Sequence, residues 1–295
     1  MTRLTGSEQE PPLGLREFRQ IRGLLNARFG LQLEYGTRTG FQRRLRDRLL
    51  ALGLGGFSEY CRYLTGSNGR DTELEQVVDL LANGETYFFR EASQLRAFQT
   101  EVLPAVRAAT SPRRRLSIWS AGCSTGEEVY TLAMLIVESG LFASWDVCVH
   151  GTDISPRAIR TARGACYREP SFRSLPRRYL RYFVQGDAGR LVHPSLRALC
   201  CFDQLNNLDA EKAALLVDQA DVVFCRNVLI YLDRTARGRL LRALYERLRP
   251  GGYLLLGHSE SLLRVTTPFE LVDLAGHLGY RRPDQPRAWN TGHWT

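Results

Sequence analysis

Lysine is all but missing from these 295 residues: Lys212 is the only one, and every other member of the 40 basic side chains is arginine. No G-K-[ST] phosphate loop is present, and no G-x-G-x-x-G follows a strand, so neither a P-loop nor a dinucleotide fingerprint is available. The apolar runs, such as Tyr253-Leu254-Leu255-Leu256, fall far short of the roughly 20 residues a membrane-spanning helix needs. The start, MTRLTGSEQEPP, lacks the apolar core of a secretory signal, which predicts a cytosolic protein. The seven cysteines, at 61, 123, 148, 166, 200, 201 and 225, contain no C-x-x-C pair. An odd count without that spacing argues against a disulfide framework and a zinc site, and predicts buried small hydrophobes. No [ND]-P-P-[YF] motif of amino-methylating enzymes is visible, and only the positive charge points to nucleic acid as a partner.

What is present begins with that charge, +9 overall, which favours an acidic partner of some kind. Residues 13–82 show helical spacing without a strand: Phe18, Ile21, Leu24, Leu25 and Phe29, then Phe41, Leu45 and Leu49. The second of these helices carries Arg38, Arg43, Arg44, Arg46 and Arg48, which predicts a cationic flank, either a docking face or a solvated one. Thr72-Glu73-Leu74-Glu75 reads as a capping box for a helix to Leu81, ended by Asn83-Gly84. Beyond about residue 82 the texture becomes alternating β and α, which predicts a βαβ sheet. The expected domains are therefore 1–82 and 83–295. Strands are expected at Leu116–Ser120, Val147–Thr152, Asp221–Cys225 and Tyr253–Gly257, and helices at Glu127–Ser139, Pro156–Arg163 and Arg234–Leu248. Residues 180–206 interrupt the alternation with two short β-like pieces around Gln185-Gly186-Asp187-Ala188-Gly189, the pattern of an inserted hairpin. The ends, 1–12 and 281–295, read as loose, with Trp289 and Trp294 unexplained.

Three segments carry chemistry. LSIWSAGCSTGEEVY, residues 116–130, is a strand, a glycine turn and a helix with acids in its first turn. Gly122 and Gly126 allow close backbone approach to a ligand, while Glu127 and Glu128 favour one bearing a cationic group over a pyrophosphate. HGTDIS places Asp153 at a strand's carboxyl end, where a carboxylate can accept hydrogen bonds from ribose hydroxyls or, alternatively, cap the helix that follows. Glycine turn plus acid makes an adenosine site, and S-adenosylmethionine fits it. DVVFCRNVLIYLD, residues 221–233, sets Arg226-Asn227 at another strand tip, with Asn227 the expected ligand contact and Tyr231 either a rim hydroxyl or a packing residue.

TYFFRE, SAGCSTGEEVYTLAM, GTDIS, FCRNVLIYLD and LRPGGYLLLGHSES, in this order, resemble the chemotaxis receptor glutamate methyltransferases, the CheR family. The resemblance runs from about residue 15 to about residue 265. It implies a small all-α domain followed by a class I S-adenosylmethionine-dependent methyltransferase domain, Rossmann-like α/β, with a small antiparallel β-subdomain inserted. The methyl acceptor it implies is a glutamate in the helical cytoplasmic domain of a chemoreceptor, contacted through the basic helix at about 38–48. Carried onto matching positions, the cofactor contacts are Thr86, Arg90, Glu128, Asp153, Asn207, Leu208, Asn227 and Val228. Tyr231 matches the tyrosine beside the transferred methyl, and Arg90 is the candidate for orienting the acceptor carboxylate. The chain departs from the family in two places: Gly84 stands where many members have asparagine, and the turn Gly186–Gly189 is short and lacks a Gly-x-Pro loop. The second departure predicts no C-terminal pentapeptide tether. His258 reads as a loop anchor, because methylating a carboxylate needs no base. A cofactor-binding signalling scaffold without turnover is the alternative, opposed by intact Arg90, Asp153, Asn227 and Tyr231.

Overall fold

The computed structural model describes residues 12–66, 70–81 and 85–285. The chain divides into two compact units, Met1–Asn83 and Gly84–Thr295. The predicted Asn83-Gly84 stop, the departure at Gly84, and Trp289 and Trp294 lie outside the described residues.

The first unit consists of helices α1 (Leu15–Phe29), α2 (Arg38–Leu52), α3 (Phe57–Thr65) and α4 (Arg70–Leu81). Its core follows the helical spacing of the sequence: Phe18, Ile21, Leu25 and Phe29 of α1 and Phe41, Leu45 and Leu49 of α2 are all buried. The capping box is not used as one, because α4 starts at Arg70 and Thr72 lies inside it. Glu73 instead turns inward, where it accepts hydrogen bonds from Arg48 Nε at 3.0 Å and from Tyr60 Oη at 2.7 Å. The five arginines of α2 do not form one flank. At 100° per residue they spread around the helix. Arg48 pairs with Glu73, and Arg44 Nη1 donates to the carbonyls of Leu80 and Leu81 at the end of α4, where a cation is favoured. Arg43, Arg44 and Arg46 are exposed.

The second unit opens with α5 (Ala92–Ala97), which runs through one π-helical stretch (Phe98–Val102) into α6 (Leu103–Ala109). Its strands are β1 (Arg115–Ala121), β2 (Asp146–Asp153), β3 (Cys166–Tyr167), β4 (Phe183–Gln185), β5 (Arg190–Val192), β6 (Cys200–Gln204), β7 (Ala220–Cys225), β8 (Leu248–Leu256), β9 (Glu270–Leu274) and β10 (His277–Arg281). Five further helices connect them: α7 (Glu127–Ser139), α8 (Pro156–Gly164), α9 (Pro194–Arg197), α10 (Ala210–Leu216) and α11 (Arg234–Arg247). Among the described residues these strands build a seven-stranded sheet ordered β6-β2-β1-β7-β8-β10-β9 and a three-stranded sheet ordered β3-β5-β4. In the large sheet β6, β2, β1, β7 and β8 are parallel, and β10 and β9 close it antiparallel.

The central strands read as strands because both faces are covered: all six residues of β7 and six of the seven in β1 are buried. Helix starts are marked chemically. Ser155 Oγ accepts from Ala158 N at 2.9 Å, with Pro156 in the first turn, and Asp233 Oδ1 accepts from Ala236 N at 2.8 Å.

The elements expected at β1, β2, β7, α7, α8 and α11 appear within a residue or two of their predicted bounds, whereas β8 begins five residues early. The inserted subdomain is narrower than the predicted hairpin span. Cys200–Gln204 leaves it and joins the main sheet beside β2, and Cys166–Tyr167 from upstream completes the small one. An edge strand is only half covered, so CCFDQ does not show the continuous apolar run of its inner neighbours. The end expected to be loose is ordered at its start, since Arg281 closes β10. That hairpin turns on Ala275 and Gly276, both with positive φ.

Candidate functional site

Chain order reverses between β1 and β7: from β1 the chain passes outward through β2 and β6, then returns to β7 and continues to β8. In open α/β sheets the crevice at the carboxyl ends of two such strands is where ligands bind. The loop after β1 meets the segment after β7 there. Gly122 has φ +93°, and a side-chain carbon placed on it would stand 2.4 Å from Val228 Cγ2. The β1 loop is pinned to β2 by hydrogen bonds from Gly122 N and Cys123 N to the carbonyl of Thr152, at 2.7 and 2.9 Å. Asp153 completes the pinning: Oδ2 accepts from Ser124 N at 2.8 Å and Oδ1 from Ser155 N at 2.9 Å. Asp153 thus braces the start of α8, whose N-cap is Ser155.

Asn207 and Leu208 follow β6 toward the same end of the sheet. Asn207 Oδ1 accepts from Thr152 Oγ1 at 2.9 Å, and Thr152 Oγ1 accepts from Trp119 Nε1 at 2.9 Å. The Asn207 carboxamide is thus oriented, with its NH2 donors left for another acceptor. Leu208 is buried and Tyr231 is exposed, on a short 3-10 turn (Leu229–Tyr231) after Val228.

The two acids at the start of α7 part company. Glu128 Oε1 accepts from Ser120 Oγ at 2.7 Å, and its Oε2 lies 3.0 Å from Arg226 Nη1. Glu127 turns into the core, where it accepts hydrogen bonds from Thr125 Oγ1 and Ser171 Oγ at 2.6 and 2.8 Å. Only Glu128 remains to favour a cationic ligand.

Burial pushes the Glu127 carboxyl above its ordinary range, against those hydrogen bonds. The folded chain therefore holds this proton more tightly than the unfolded chain. That contribution to stability is complete below the ordinary carboxyl pKa and is lost as pH rises through the raised value. Glu127→Gln, which cannot ionise, is expected to gain on the wild type between about pH 4 and pH 7. Urea unfolding of both proteins at the two pH values measures this, and a constant difference would sink the assignment.

Arg226 is the residue the sequence reading undervalued. Its side chain is 3% exposed and lies 3.0 Å from both Glu91 Oε2 and Glu128 Oε2. Its Nη2 also donates to the carbonyl of Arg90 at 2.8 Å. One guanidinium thus ties three segments together, TYFFRE, the start of α7 and the tip of β7. Two carboxylates against one guanidinium leave the cluster net negative, which suits a sulfonium. Glu260 is the second such residue. It accepts from Asn227 N and Gly257 N at 2.7 and 2.9 Å, and so fixes Asn227 at φ +59°. Within GHSES, then, Glu260 is the structural clamp. His258 is exposed and only its backbone N reaches Glu91 Oε2, at 3.3 Å.

The TYFFRE segment leads through a turn into α5. Residues 85–87 have no regular secondary structure, 88–91 turn with positive φ at Phe89 and Glu91, and α5 begins at Ala92. Phe88 is fully buried against Tyr167, Phe172 and Phe183, and Phe89 against Tyr179. The turn leaves Thr86 and Arg90 half-buried, Arg90 Nη1 donating to the Glu85 carbonyl at 2.9 Å.

A glycine-loop crevice at a sheet's switch point, with an acid on the second strand, defines a Rossmann-like nucleotide-cofactor site of the methyltransferase kind. The family model for the CheR methyltransferase SAM binding domain matches residues 84–277, and that for the CheR methyltransferase all-alpha domain matches residues 16–82. The chain is 31% identical over 275 residues to chemotaxis protein methyltransferase 2 of Vibrio cholerae serotype O1, covering 92% of this chain and 94% of that one. It is 34% identical over 242 residues to the chemotaxis protein methyltransferase of Borreliella burgdorferi, covering 79% and 84%. Identity to the Klebsiella aerogenes chemotaxis protein methyltransferase is 33% over 268 residues, covering 89% of each. The chain belongs to the CheR methyltransferase family; it is an S-adenosylmethionine-dependent methyltransferase, and S-adenosylmethionine is its cofactor.

Proposed function

We propose that this enzyme methylates glutamate side chains in the helical cytoplasmic domain of a chemoreceptor, in the cytoplasm, as the adaptation step of a chemotaxis-like pathway. The observation that carries the reading is the match of the chain to the CheR methyltransferase domains and to relatives named chemotaxis protein methyltransferase; the 2.8 Å hydrogen bond from Arg226 to the Arg90 carbonyl couples the segment bearing Arg90 to the segment bearing Tyr231. Thr86, Arg90, Glu128, Asp153, Asn207, Leu208, Asn227 and Val228 would hold the cofactor, with Asp153 on the ribose. When bound, the cofactor supplies a sulfonium-activated methyl group.

The residues then have little proton chemistry to do. A glutamate, with a reference pKa of about 4.3, is already ionised at neutral pH, so no general base is required. Positioning carries the catalysis: the acceptor oxygen must sit about 3–3.5 Å from the reacting carbon and lose its water. Arg90 orients the acceptor carboxylate, and Tyr231, exposed after β7, walls the acceptor side. Arg90→Ala is expected to reduce methyl transfer by about 100-fold or more, the scale of a positioning loss, with the unfolding midpoint unchanged. Unchanged turnover would remove Arg90 from this role.

The basic helix α2 is the proposed docking element for an acidic receptor bundle, with Arg43 and Arg46 as its outward charges. Charge reversal at those two positions should slow methylation and flatten its salt dependence. The β4–β5 connection supports the absence of a pentapeptide tether: three-residue strands are joined by a tight turn in which Gly186 N donates to the Gly189 carbonyl at 2.9 Å. The reaction is tested by incubating the enzyme with labelled S-adenosylmethionine and a receptor cytoplasmic fragment, then treating the product with mild base. Glutamyl methyl esters release labelled methanol, and base-stable label would overturn the acceptor assignment.

A further inference from the structure

Cysteine spacing predicts seven buried small hydrophobes, and the structure departs from this at the outer edge of the main sheet. Cys61, Cys123 and Cys225 are buried, whereas Cys148, Cys166, Cys200 and Cys201 are only partly so. Cys148 on β2 and Cys201 on the edge strand β6 bring their sulfurs to 3.5 Å. The strands are parallel with His150 opposite Cys201. Cys148, two residues before His150, therefore shares a sheet face with Cys201, while Cys200 points to the other face.

The two thiols are not equivalent. The two sulfurs share a hydrogen bond in which either thiol can donate; with the Arg115 guanidinium it holds the Cys148 thiol down at about 7, while Cys201 is pushed up by the same hydrogen bond and by burial. Arg115 is itself shared between Asp146, at 3.3 Å, and Asp218, at 3.2 Å. A thiolate-prone cysteine touching a second thiol at a half-open edge is the arrangement of a nucleophile and its resolving partner. No group of three or more His, Cys, Asp or Glu side chains suited to a metal occurs among the described residues.

We propose that Cys148 and Cys201 form a peroxide-reactive dithiol whose oxidised form is a reversible disulfide stapling β6 to β2. The Cys148 thiolate attacks one oxygen of hydrogen peroxide, the O–O bond breaks, and the departing hydroxide leaves as water after taking a proton, giving Cys148 sulfenic acid. The Cys201 sulfur then attacks the Cys148 sulfur; the S–S bond forms, and the sulfenic oxygen leaves as a second water with the Cys201 proton. The sulfurs give up two electrons and peroxide is reduced to two waters. The pair is diagonal across the two strands, a spacing of about 7–8 Å between Cα atoms, so closing from 3.5 Å to a bond of about 2.05 Å requires side-chain rotation together with a shift of the edge strand toward β2.

The test treats the full chain with hydrogen peroxide, alkylates the remaining thiols under native conditions, and maps the peptides by mass with and without dithiothreitol. The expected result is joint loss of alkylation at 148 and 201, a linked peptide two hydrogens lighter than the pair, and full recovery on reduction. Cys201→Ser should instead leave Cys148 as a sulfenic or sulfinic acid, and Cys148→Ser should leave Cys201 unmodified. Cysteines 148 and 201 that both stay alkylatable after peroxide, or a link running from Cys148 to Cys200, would overturn the proposal.

Discussion

Replacing Arg226 with methionine is expected to lower folding stability by about 3–5 kcal/mol, the cost of removing one member of a buried ion-pair cluster. The residue lies at the tip of β7, with both guanidinium ends engaged by Glu91 and Glu128 and one N–H on the Arg90 carbonyl. Methionine matches its apolar stem but leaves two largely buried carboxylates without a cation. Arg226→Lys should recover little, because a single ammonium does not span two carboxylates that a planar fork reaches together. Adding Glu91→Gln and Glu128→Gln to the methionine variant should restore part of the loss, since the charges left behind are what the substitution exposes. Urea unfolding of the four proteins provides the measurement. A cost below about 1 kcal/mol for Arg226→Met would place the cluster among solvent-screened pairs, which contribute little.

The second large effect is expected at Gly122. Alanine there meets two separate penalties. Its φ of +93° is a conformation that L residues adopt at a cost of about 1–3 kcal/mol. The new carbon would also stand 2.4 Å from Val228 Cγ2, closer than any van der Waals contact, so the β1 loop and the β7 segment must separate. Both line the crevice proposed for the cofactor, and affinity for S-adenosylhomocysteine should fall by at least tenfold, with catalysis falling in step. The double variant Gly122→Ala with Val228→Ala removes the clash and leaves the backbone strain. It should therefore recover part of the stability but not all of it. Calorimetric titration that finds wild-type affinity in Gly122→Ala would show that the close approach does not shape the donor site.

Residues whose role is written in local pattern were legible in advance. The apolar runs of β1 and β7 announced strands, and Pro156 after Ser155 announced a helix start. Gly122 and Gly126 marked a turn that comes close to its surroundings, and both have positive φ. Residues that act through distant partners were not legible. Glu73 carried a capping signature, yet it is spent on Arg48 and Tyr60 from two other helices. Glu127 and Glu128 are neighbours with opposite fates, because adjacent helical positions point about 100° apart, one into the core and one toward Arg226. The edge strand β6 was read as part of an insertion because one-sided cover relaxes the demand for apolar residues.

The sequence by itself determined the order of helices and strands, the glycine turn, the acid at the end of β2 and the family motifs, because each depends on residues close together in the chain. Only the tertiary structure decided that Arg226 binds Glu91 and Glu128, that Glu260 holds Asn227, and that Cys148 meets Cys201. Those pairs are separated by 33 to 135 residues and meet only where the strand order brings their segments side by side. No local preference encodes such a meeting; sheet topology and burial fix it together.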